Sequence, residues 1–139
     1  MAETVKEVMS SDPQAVDAGA TLDEAARLMK EHDVGPVLVT EQEKVTGIVT
    51  DRDIVVRAIA EGKSPDETKV SDVCSAELET LSPDDSVDDA VQKMRQAKVR
   101  RLPVVDDGKP VGIVSIGDLA SDRDRDSVLA EISSAEPNE

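Results

Sequence analysis

Two short motifs hold the residues whose types and spacing suit ligand chemistry. Thr50 and Asp53 follow the letters GIV, and Ser115 and Asp118 follow the same three letters 65 residues further along. A hydroxyl residue at the start of a helix and a carboxylate three residues later can satisfy free backbone N–H groups there. The same helix start attracts a phosphate, and an ionised carboxylate can accept two hydroxyl donors, such as those of a ribose. The two motifs therefore predict either helix caps or nucleotide contacts, and their residue types fit both.

The two motifs lie in an internal duplication that covers most of the chain. A constant offset of 65 residues aligns the two copies without a gap. Such a repeat indicates two copies of one structural unit. The identical aligned pairs include Val5 with Val70, Val8 with Val73, Ser10 with Ser75, Asp23 with Asp88, Ala25 with Ala90, Met29 with Met94, Val34 with Val99, Val39 with Val104, and Lys44 with Lys109.

Each copy predicts a helix followed by a hairpin. The residues Thr21 to Glu24 form a capping box, and apolar residues at helical spacing follow it, so a helix of about ten residues is expected there. Two β-branched runs separated by the polar letters EQE predict a hairpin. The second copy has a stronger turn signal at Asp106 to Lys109.

A second helix and a short extended segment complete each copy. The second helix is predicted from Asp51 to about Glu61, with Gly62 as its C-terminal cap, and from about Gly117 in the second copy. Extended segments that enter the sheets are predicted at 13–16 and 78–81.

The resulting order β-α-β-β-α predicts a fold of the mixed α/β (α+β) class. Helices are available for only one face of each sheet, so the other face needs the second copy. We therefore expect two repeats packed sheet to sheet with pseudo-twofold symmetry. The expected boundaries are 1–62 for the first repeat, 63–68 for a linker, 69–125 for the second repeat and 126–139 for a polar C-terminal tail.

Charge and apolar content exclude several classes of function. With 16 basic and 31 acidic residues, the formal net charge of −15 disfavours nucleic acid and an anionic membrane as partners. The sequence has no apolar run of roughly 20 residues, and its first ten residues do not resemble a signal peptide, so a cytoplasmic protein is expected. Because Phe, Tyr and Trp are absent from the sequence, aliphatic side chains would have to hold any ligand ring.

The sequence contains one cysteine and one histidine, so few side chains are available as metal ligands or as catalytic nucleophiles and bases. Cys74 takes the place of Met9 in the repeat alignment, so we expect a buried structural thiol. His32 aligns with Ala97 and has no cysteine or histidine cluster around it, so we expect no metal site. In the absence of a catalytic constellation, we expect neither an enzyme nor a required cofactor.

The repeated motifs resemble those of a known family. The segments GIVTDRD at 47–53, GIVSIGD at 112–118 and VRRLPVV at 99–105 are similar to those of tandem cystathionine-β-synthase (CBS) domains, a pair also called a Bateman module. The resemblance covers nearly the whole chain and is strongest to small stand-alone CBS-pair proteins of bacteria. It departs at Leu38, where the second copy has Pro103. The resemblance implies a non-catalytic regulatory or sensor module that binds AMP, ADP, ATP or S-adenosylmethionine in clefts between its two repeats.

The resemblance also implies the ligand contacts. Asp53 and Asp118 would accept the ribose hydroxyls, while backbone at 15–16 and 80–81 would read the edge of the adenine. The first site would comprise Ala15, Val16, Gly35, Pro36, Val37, Thr50, Arg52 and Asp53, and the second site would comprise Thr80, Leu81, Arg100, Arg101, Leu102, Ser115 and Asp118.

Arginines distinguish the two implied sites. Arg100 and Arg101 align with Gly35 and Pro36, so the second site has cationic residues where the first has none. We expect one of these arginines to contact phosphate, and we expect the second site to bind phosphate-rich ligands more tightly. Arg57 is interpreted as a solvated surface residue.

A ligand-free dimerisation or protein-interaction scaffold is the alternative function. Such a scaffold needs the helices and sheets but has no use for Asp53 and Asp118 as ribose acceptors. A sensor, by contrast, would pass its ligand-bound state to a protein target. For either function we expect a homodimer, which the resemblance implies to be disc-like, because some apolar positions of the second helix cannot all face their own sheet: Ile54, Val55, Ala58 and Ile59.

Overall fold

The computed structural model describes residues 3–75 and 79–123, which divide into two compact units. The hairpin-1 unit comprises residues 13–75 together with 108–110. The hairpin-2 unit comprises residues 3–12, 79–107 and 111–123. Each unit has a three-stranded sheet and a hydrophobic core of its own.

The elements follow one another in two similar series, which confirms a mixed α/β fold with two repeats. Among the residues that the structure describes, no helix is long and apolar enough to cross a membrane. In chain order the elements are a 3-10 helix (Val5–Glu7), β1 (Ser10–Ser11), β2 (Ala15–Asp17), α1 (Leu22–His32), β3 (Pro36–Glu41), β4 (Lys44–Thr50), α2 (Asp51–Asp53) continued by a π-helix (Ile54–Ile59), a second 3-10 helix (Val70–Asp72), α3 (Val87–Ala97), β5 (Arg101–Asp106), β6 (Lys109–Ser115) and α4 (Ile116–Arg123).

Helices α1 and α3 are built alike. The Thr21 hydroxyl accepts the N–H of Glu24 at 3.4 Å and caps α1, and the Ser86 hydroxyl accepts the N–H of Asp89 at 3.0 Å and caps α3. Both helices have 11 residues, so the predicted first helix is confirmed. Each helix buries one apolar stripe, formed by Leu22, Ala25 and Met29 in α1 and by Val87, Ala90 and Met94 in α3.

Each sheet combines a hairpin with one short additional strand. In the hairpin-1 unit the order is β2-β3-β4, and β2 runs parallel to β3 with Val16 opposite Val39. In the hairpin-2 unit the order is β1-β6-β5, and Leu81 makes the equivalent parallel bridge to Val104. The first predicted extended segment (13–16) therefore contributes a strand from Ala15, whereas the described part of the second (78–81) makes a single bridge at Leu81; residue 78 lies outside the described residues.

The segment that opens each copy packs with the hairpin of the other copy. Ser10 pairs with Ile113 of β6, and Ser75 pairs in the same antiparallel manner with Ile48 of β4. We call residues 5–10 and 70–75 the crossing segments. Each compact unit therefore contains the opening segment of one copy together with the hairpin of the other copy.

The helix after the first hairpin changes its hydrogen-bonding pattern. It begins as α2 and continues from Ile54 to Ile59 as a π-helix, whereas its counterpart in the second copy is the α-helix α4. The predicted stop at Gly62 is confirmed, because this glycine has a φ of 78° and the N–H of Lys63 bonds back to the Ala58 carbonyl at 2.9 Å.

Each core lies between its sheet and its helices. The residues buried in the hairpin-1 unit are Ala18, Leu22, Ala25, Met29, Val37, Val39, Val49, Ile54, Ala58, Val70 and Val73, and those buried in the hairpin-2 unit are Val5, Leu81, Val87, Ala90, Met94, Leu102, Val104, Val114 and Leu119.

Candidate functional site

The first hydroxyl–aspartate motif lies where β4 ends and α2 begins. The N–H of Thr50 donates to Oδ2 of Asp53 at 2.9 Å, and the N–H of Asp53 donates to Oγ1 of Thr50 at 3.2 Å. These two hydrogen bonds form a reciprocal capping box. The sequence prediction that Thr50 is the cap and Asp53 the third helical residue is therefore confirmed.

The second motif reproduces this arrangement at the end of β6. The N–H of Ser115 donates to Oδ2 of Asp118 at 2.8 Å, and the N–H of Asp118 donates to Oγ of Ser115 at 3.1 Å. Both aspartates are partly buried. In each motif the cap uses one carboxylate oxygen and leaves the hydroxyl proton of Thr50 or Ser115 unassigned, so both groups retain hydrogen-bonding capacity.

Arg57 approaches the first motif, a role that was not predicted from the sequence. Its Nε lies 3.8 Å from Oδ1 of Asp53, and its Nη1 donates to the carbonyl oxygen of Val73 at 3.1 Å. The interpretation of Arg57 as a solvated surface residue is therefore right only in part: its side chain is 54% exposed, but it also makes an ion pair and a hydrogen bond. The available signal was its spacing, since residues four apart on a helix are neighbours.

The signature glycines, Gly47 and Gly112, open the two repeated GIV segments and accommodate the crossing segments. A Cβ atom on Gly47 would lie 3.0 Å from both Sγ of Cys74 and the carbonyl oxygen of Ser75. A Cβ atom on Gly112 would overlap Sδ of Met9. Close approach at these glycines is therefore made by protein atoms, and the aligned residues Met9 and Cys74 fill equivalent positions.

Gly35, Pro36 and Arg52 adjoin the first motif. The carbonyl of Gly35 accepts the N–H of Asp51 at 3.2 Å, and Pro36 pairs with Thr50 across β3 and β4. Arg52 is exposed beside them.

The other implied residues of the first site lie further from its motif. Ala15 pairs with Leu38 of β3, and Val16 with Val39, so both residues belong to the neighbouring strand. The side chain of Val37 is fully buried in the core, so it is not available to pack on a ligand ring.

In the second site, Arg100 adjoins the motif through its backbone. Its carbonyl accepts the N–H of Ile116 at 2.8 Å, which matches the bond between Gly35 and Asp51 in the first copy. The Arg100 side chain is exposed, whereas Arg101 is partly buried at the start of β5.

Thr80, Leu81 and Leu102 already make hydrogen bonds or core contacts within the hairpin-2 unit. The carbonyl of Thr80 accepts Nζ of Lys93 at 2.7 Å. Both backbone groups of Leu81 bond to β5, with its N–H on the Pro103 carbonyl at 2.9 Å and its carbonyl on the Val105 N–H at 2.8 Å. The side chains of Leu81 and Leu102 are core residues. These bonds disfavour a direct adenine contact through Leu81.

Cys74 is a partly buried thiol beside the first motif. It packs against the hairpin-1 core. Burial raises the pKa of its thiol, and the negative charge of Asp53 raises it further. A raised pKa reduces the thiolate fraction at neutral pH, which makes the thiol less reactive. Among the described residues, no group of three His, Cys, Asp or Glu residues could hold a metal ion.

A protein-family model for the CBS domain matches residues 5–59 and 70–123, which are the two copies described above. The chain belongs to the CBS-domain family. The match accounts for both hydroxyl–aspartate motifs and for both crossing segments, and it indicates no catalytic domain.

The chain is similar to stand-alone CBS proteins along most of its length. It is 44% identical over 134 residues to CBS domain-containing protein YhcV of Bacillus subtilis, which covers 94% of this chain and 95% of that protein. It is 30% identical over 118 residues to Hypoxic response protein 1 of Mycobacterium tuberculosis, which covers 84% of this chain and 82% of that protein. The resemblance to stand-alone bacterial CBS pairs is therefore confirmed.

Solved CBS structures share the fold. The CBS domain pair of protein MJ0100, in complex with 5′-methylthioadenosine and S-adenosyl-L-methionine, is 28% identical with a TM-score of 0.74, covering 84% of this chain and 92% of that one. A hexameric CBS-CP12 protein from bloom-forming cyanobacteria is 28% identical with a TM-score of 0.78, covering 89% of this chain and 74% of that one.

Proposed function

We propose that this CBS pair is a non-catalytic sensor that binds an adenine nucleotide or adenosyl ligand through its two hydroxyl–aspartate motifs. The observation that carries the proposal is the duplicated capping box at the end of β4 and of β6. Each aspartate uses one oxygen for the cap, so Asp53 and Asp118 each retain an oxygen for a ribose hydroxyl. The ligand regulates and is not a cofactor.

The hydroxyls and arginines beside the motifs suit a phosphate-bearing ligand. Thr50 and Ser115 accept an N–H in the cap and can still donate their own proton to a phosphate oxygen. Exposed Arg52 and Arg100 add positive charge nearby. The net charge of −15 opposes binding only weakly, because the Debye length is about 8 Å at physiological salt and nearby groups dominate.

The adenosyl class is supported by the MJ0100 pair, whose complex contains 5′-methylthioadenosine and S-adenosyl-L-methionine. AMP, ADP, ATP and S-adenosylmethionine are the candidate ligands for this chain. They share the ribose diol that Asp53 and Asp118 would accept. We place the protein in the cytoplasm, where such ligands are available, with repeats at 1–62 and 69–125 joined by a linker at 63–68.

Absorbance and calorimetry test the sensor function. The sequence contains no Trp, Tyr or Phe, so a co-purified adenine ligand should give a clear band near 260 nm. Titration with AMP, ADP, ATP and S-adenosylmethionine should release or absorb heat and raise the melting temperature. Asp53→Asn and Asp118→Asn should each remove one binding event. A protein that shows no heat, no melting shift and no 260 nm band would contradict the sensor function.

A dimerisation scaffold is the second candidate, and the exposed apolar side chains of the π-helix favour it. Val55, Val56 and Ile59 are 57%, 45% and 51% exposed. Ile54 and Ala58 of the same helix are core residues, so only part of the predicted apolar set is available to a partner. We propose a homodimer through this face, and the hexameric CBS-CP12 protein supports self-association in the family. A sensor could use the same assembly to signal to a protein target.

A further inference from the structure

Arg57 connects the first motif with a crossing segment. Its guanidinium lies next to Oδ1 of Asp53 and donates to the Val73 carbonyl, at the distances given above. Val73 lies in crossing segment 70–75, two residues before Ser75 pairs with Ile48 of β4. One side chain therefore contacts both the proposed ligand carboxylate and the segment packed beside β4.

The second copy has no arginine at the position aligned with Arg57. Asp122 aligns with Arg57 and lies four residues after Asp118 on α4. Its side chain is buried. Asp122 has no guanidinium, so it cannot reproduce the paired contacts of Arg57 with an aspartate and with a carbonyl of a crossing segment. At this aligned position an arginine is therefore particular to the first copy.

We propose that Arg57 is a positioning residue that couples ligand binding at Asp53 to the anchoring of crossing segment 70–75. The proposal rests on the proposed function in one respect, namely that Asp53 accepts a ligand hydroxyl. The capping box occupies Oδ2, so a ligand hydroxyl binds at Oδ1, the oxygen that Nε of Arg57 faces at 3.8 Å, and displaces the guanidinium from that oxygen. Ligand binding then weakens the hold of Arg57 on the segment. By reciprocity, loss of the arginine favours binding.

Amide hydrogen exchange tests the link in the absence of ligand. The N–H groups of Ser75 and Ile48 bond to each other's carbonyls at 3.0 and 3.1 Å. Arg57→Gln should speed their exchange roughly fivefold, as expected for the loss of one hydrogen bond. The equivalent pair Ser10 and Ile113 should not change and serves as an internal control.

Further variants separate the hydrogen bond from general effects of charge. Arg27→Gln removes a positive charge from the exposed surface of α1 and should leave the exchange of Ser75 unchanged. Arg57→Lys keeps the charge but not the planar fork, so it should restore the protection only in part. If the amide of Ser75 exchanges at the same rate in Arg57→Gln as in the wild type, the proposal is overturned.

Ligand titration tests the coupling itself. Saturating AMP should speed the exchange of Ser75 in the wild type and have no effect on it in Arg57→Gln. Calorimetry should show that the binding event removed by Asp53→Asn is roughly fivefold tighter in Arg57→Gln. If AMP binds through Asp53 and Ser75 does not respond, the coupling is wrong but the proposed function stands. If none of AMP, ADP, ATP and S-adenosylmethionine binds, both are overturned.

Discussion

A Cβ atom on Gly112 would lie 2.9 Å from the carbonyl oxygen of Ser10, so the crossing segment requires a glycine at this position. The first copy has the same relationship, with Gly47 facing the Ser75 carbonyl at 3.0 Å. In this chain the signature glycine serves the contact that holds each opening segment in its unit. The hydroxyl–aspartate pair that follows is a separate feature with its own chemistry.

Gly112→Ala is expected to lower the free energy of unfolding by about 1–3 kcal/mol, because the added methyl overlaps Met9 and the Ser10 backbone. Urea denaturation followed by far-ultraviolet circular dichroism measures the loss. Gly19→Ala is the control, since its closest contact is a side-chain oxygen of Asp17 at 3.2 Å. Equal losses in the two variants would contradict the packing explanation.

The two ligand sites are expected to differ in affinity. Arg100 and Arg101 accompany the Asp118 motif, and charge-assisted hydrogen bonds of about 1.5–3 kcal/mol correspond to roughly tenfold to hundredfold tighter binding of phosphate-rich ligands. Calorimetry with ATP should therefore show that Asp118→Ala removes the tight event and that Asp53→Ala spares it. Loss of the tight event in Asp53→Ala alone would show that the assignment of these arginines is wrong.

Cys74 is expected to react slowly with iodoacetamide in the folded protein, because burial and the Asp53 charge raise the pKa of its thiol. Asp53→Asn removes one of these causes and should speed the reaction. Arg57→Gln should slow it, since the positive charge of Arg57 acts to lower the same pKa. The reaction in urea provides the reference rate. Equal rates in folded and unfolded protein would refute the prediction.

The same thiol makes folding stability depend on pH. A group whose pKa is raised by folding contributes stability that is present below its unfolded pKa and is lost as the pH rises through its folded pKa. The free energy of unfolding should therefore fall in the alkaline range, and Cys74→Ala should flatten that part of the profile. An alkaline slope identical in Cys74→Ala and the wild type would assign the effect to other groups.

Self-association is expected to depend on the exposed face of the π-helix. Val55→Ser combined with Ile59→Ser should convert the dimer to a monomer at micromolar concentration without loss of helix, because both side chains are more than half exposed. Light scattering measures the mass. Val99→Ser, at an apolar position of the hairpin-2 unit that is 40% exposed, is the matched control. A wild-type protein that is monomeric at this concentration would contradict the proposed homodimer.

Local patterns predicted most of the elements correctly. The Thr21 cap, the two hairpins and the stop at Gly62 were all evident in the sequence, because caps, turns and apolar spacing act over a few residues, although only the Thr21 half of the predicted capping box is formed. The repeat offset of 65 then extended each assignment to the other copy. The capping geometry of Asp53 and Asp118 was predictable for the same reason.

Contacts between distant parts of the chain were decided only by the tertiary structure. The sequence does not indicate that Ser75 pairs with Ile48, or that Arg57 reaches the Val73 carbonyl, because both contacts depend on where the chain returns after the helix. Composition likewise could not show that Val37 faces the core, since a strand residue's environment depends on which face is covered. The sequence by itself determined the repeated unit and its motifs. Only the tertiary structure showed that Gly47 and Gly112 make room for the opening segments, and that Arg57 lies beside both Asp53 and the Val73 carbonyl, because these contacts join parts of the chain that are distant in sequence.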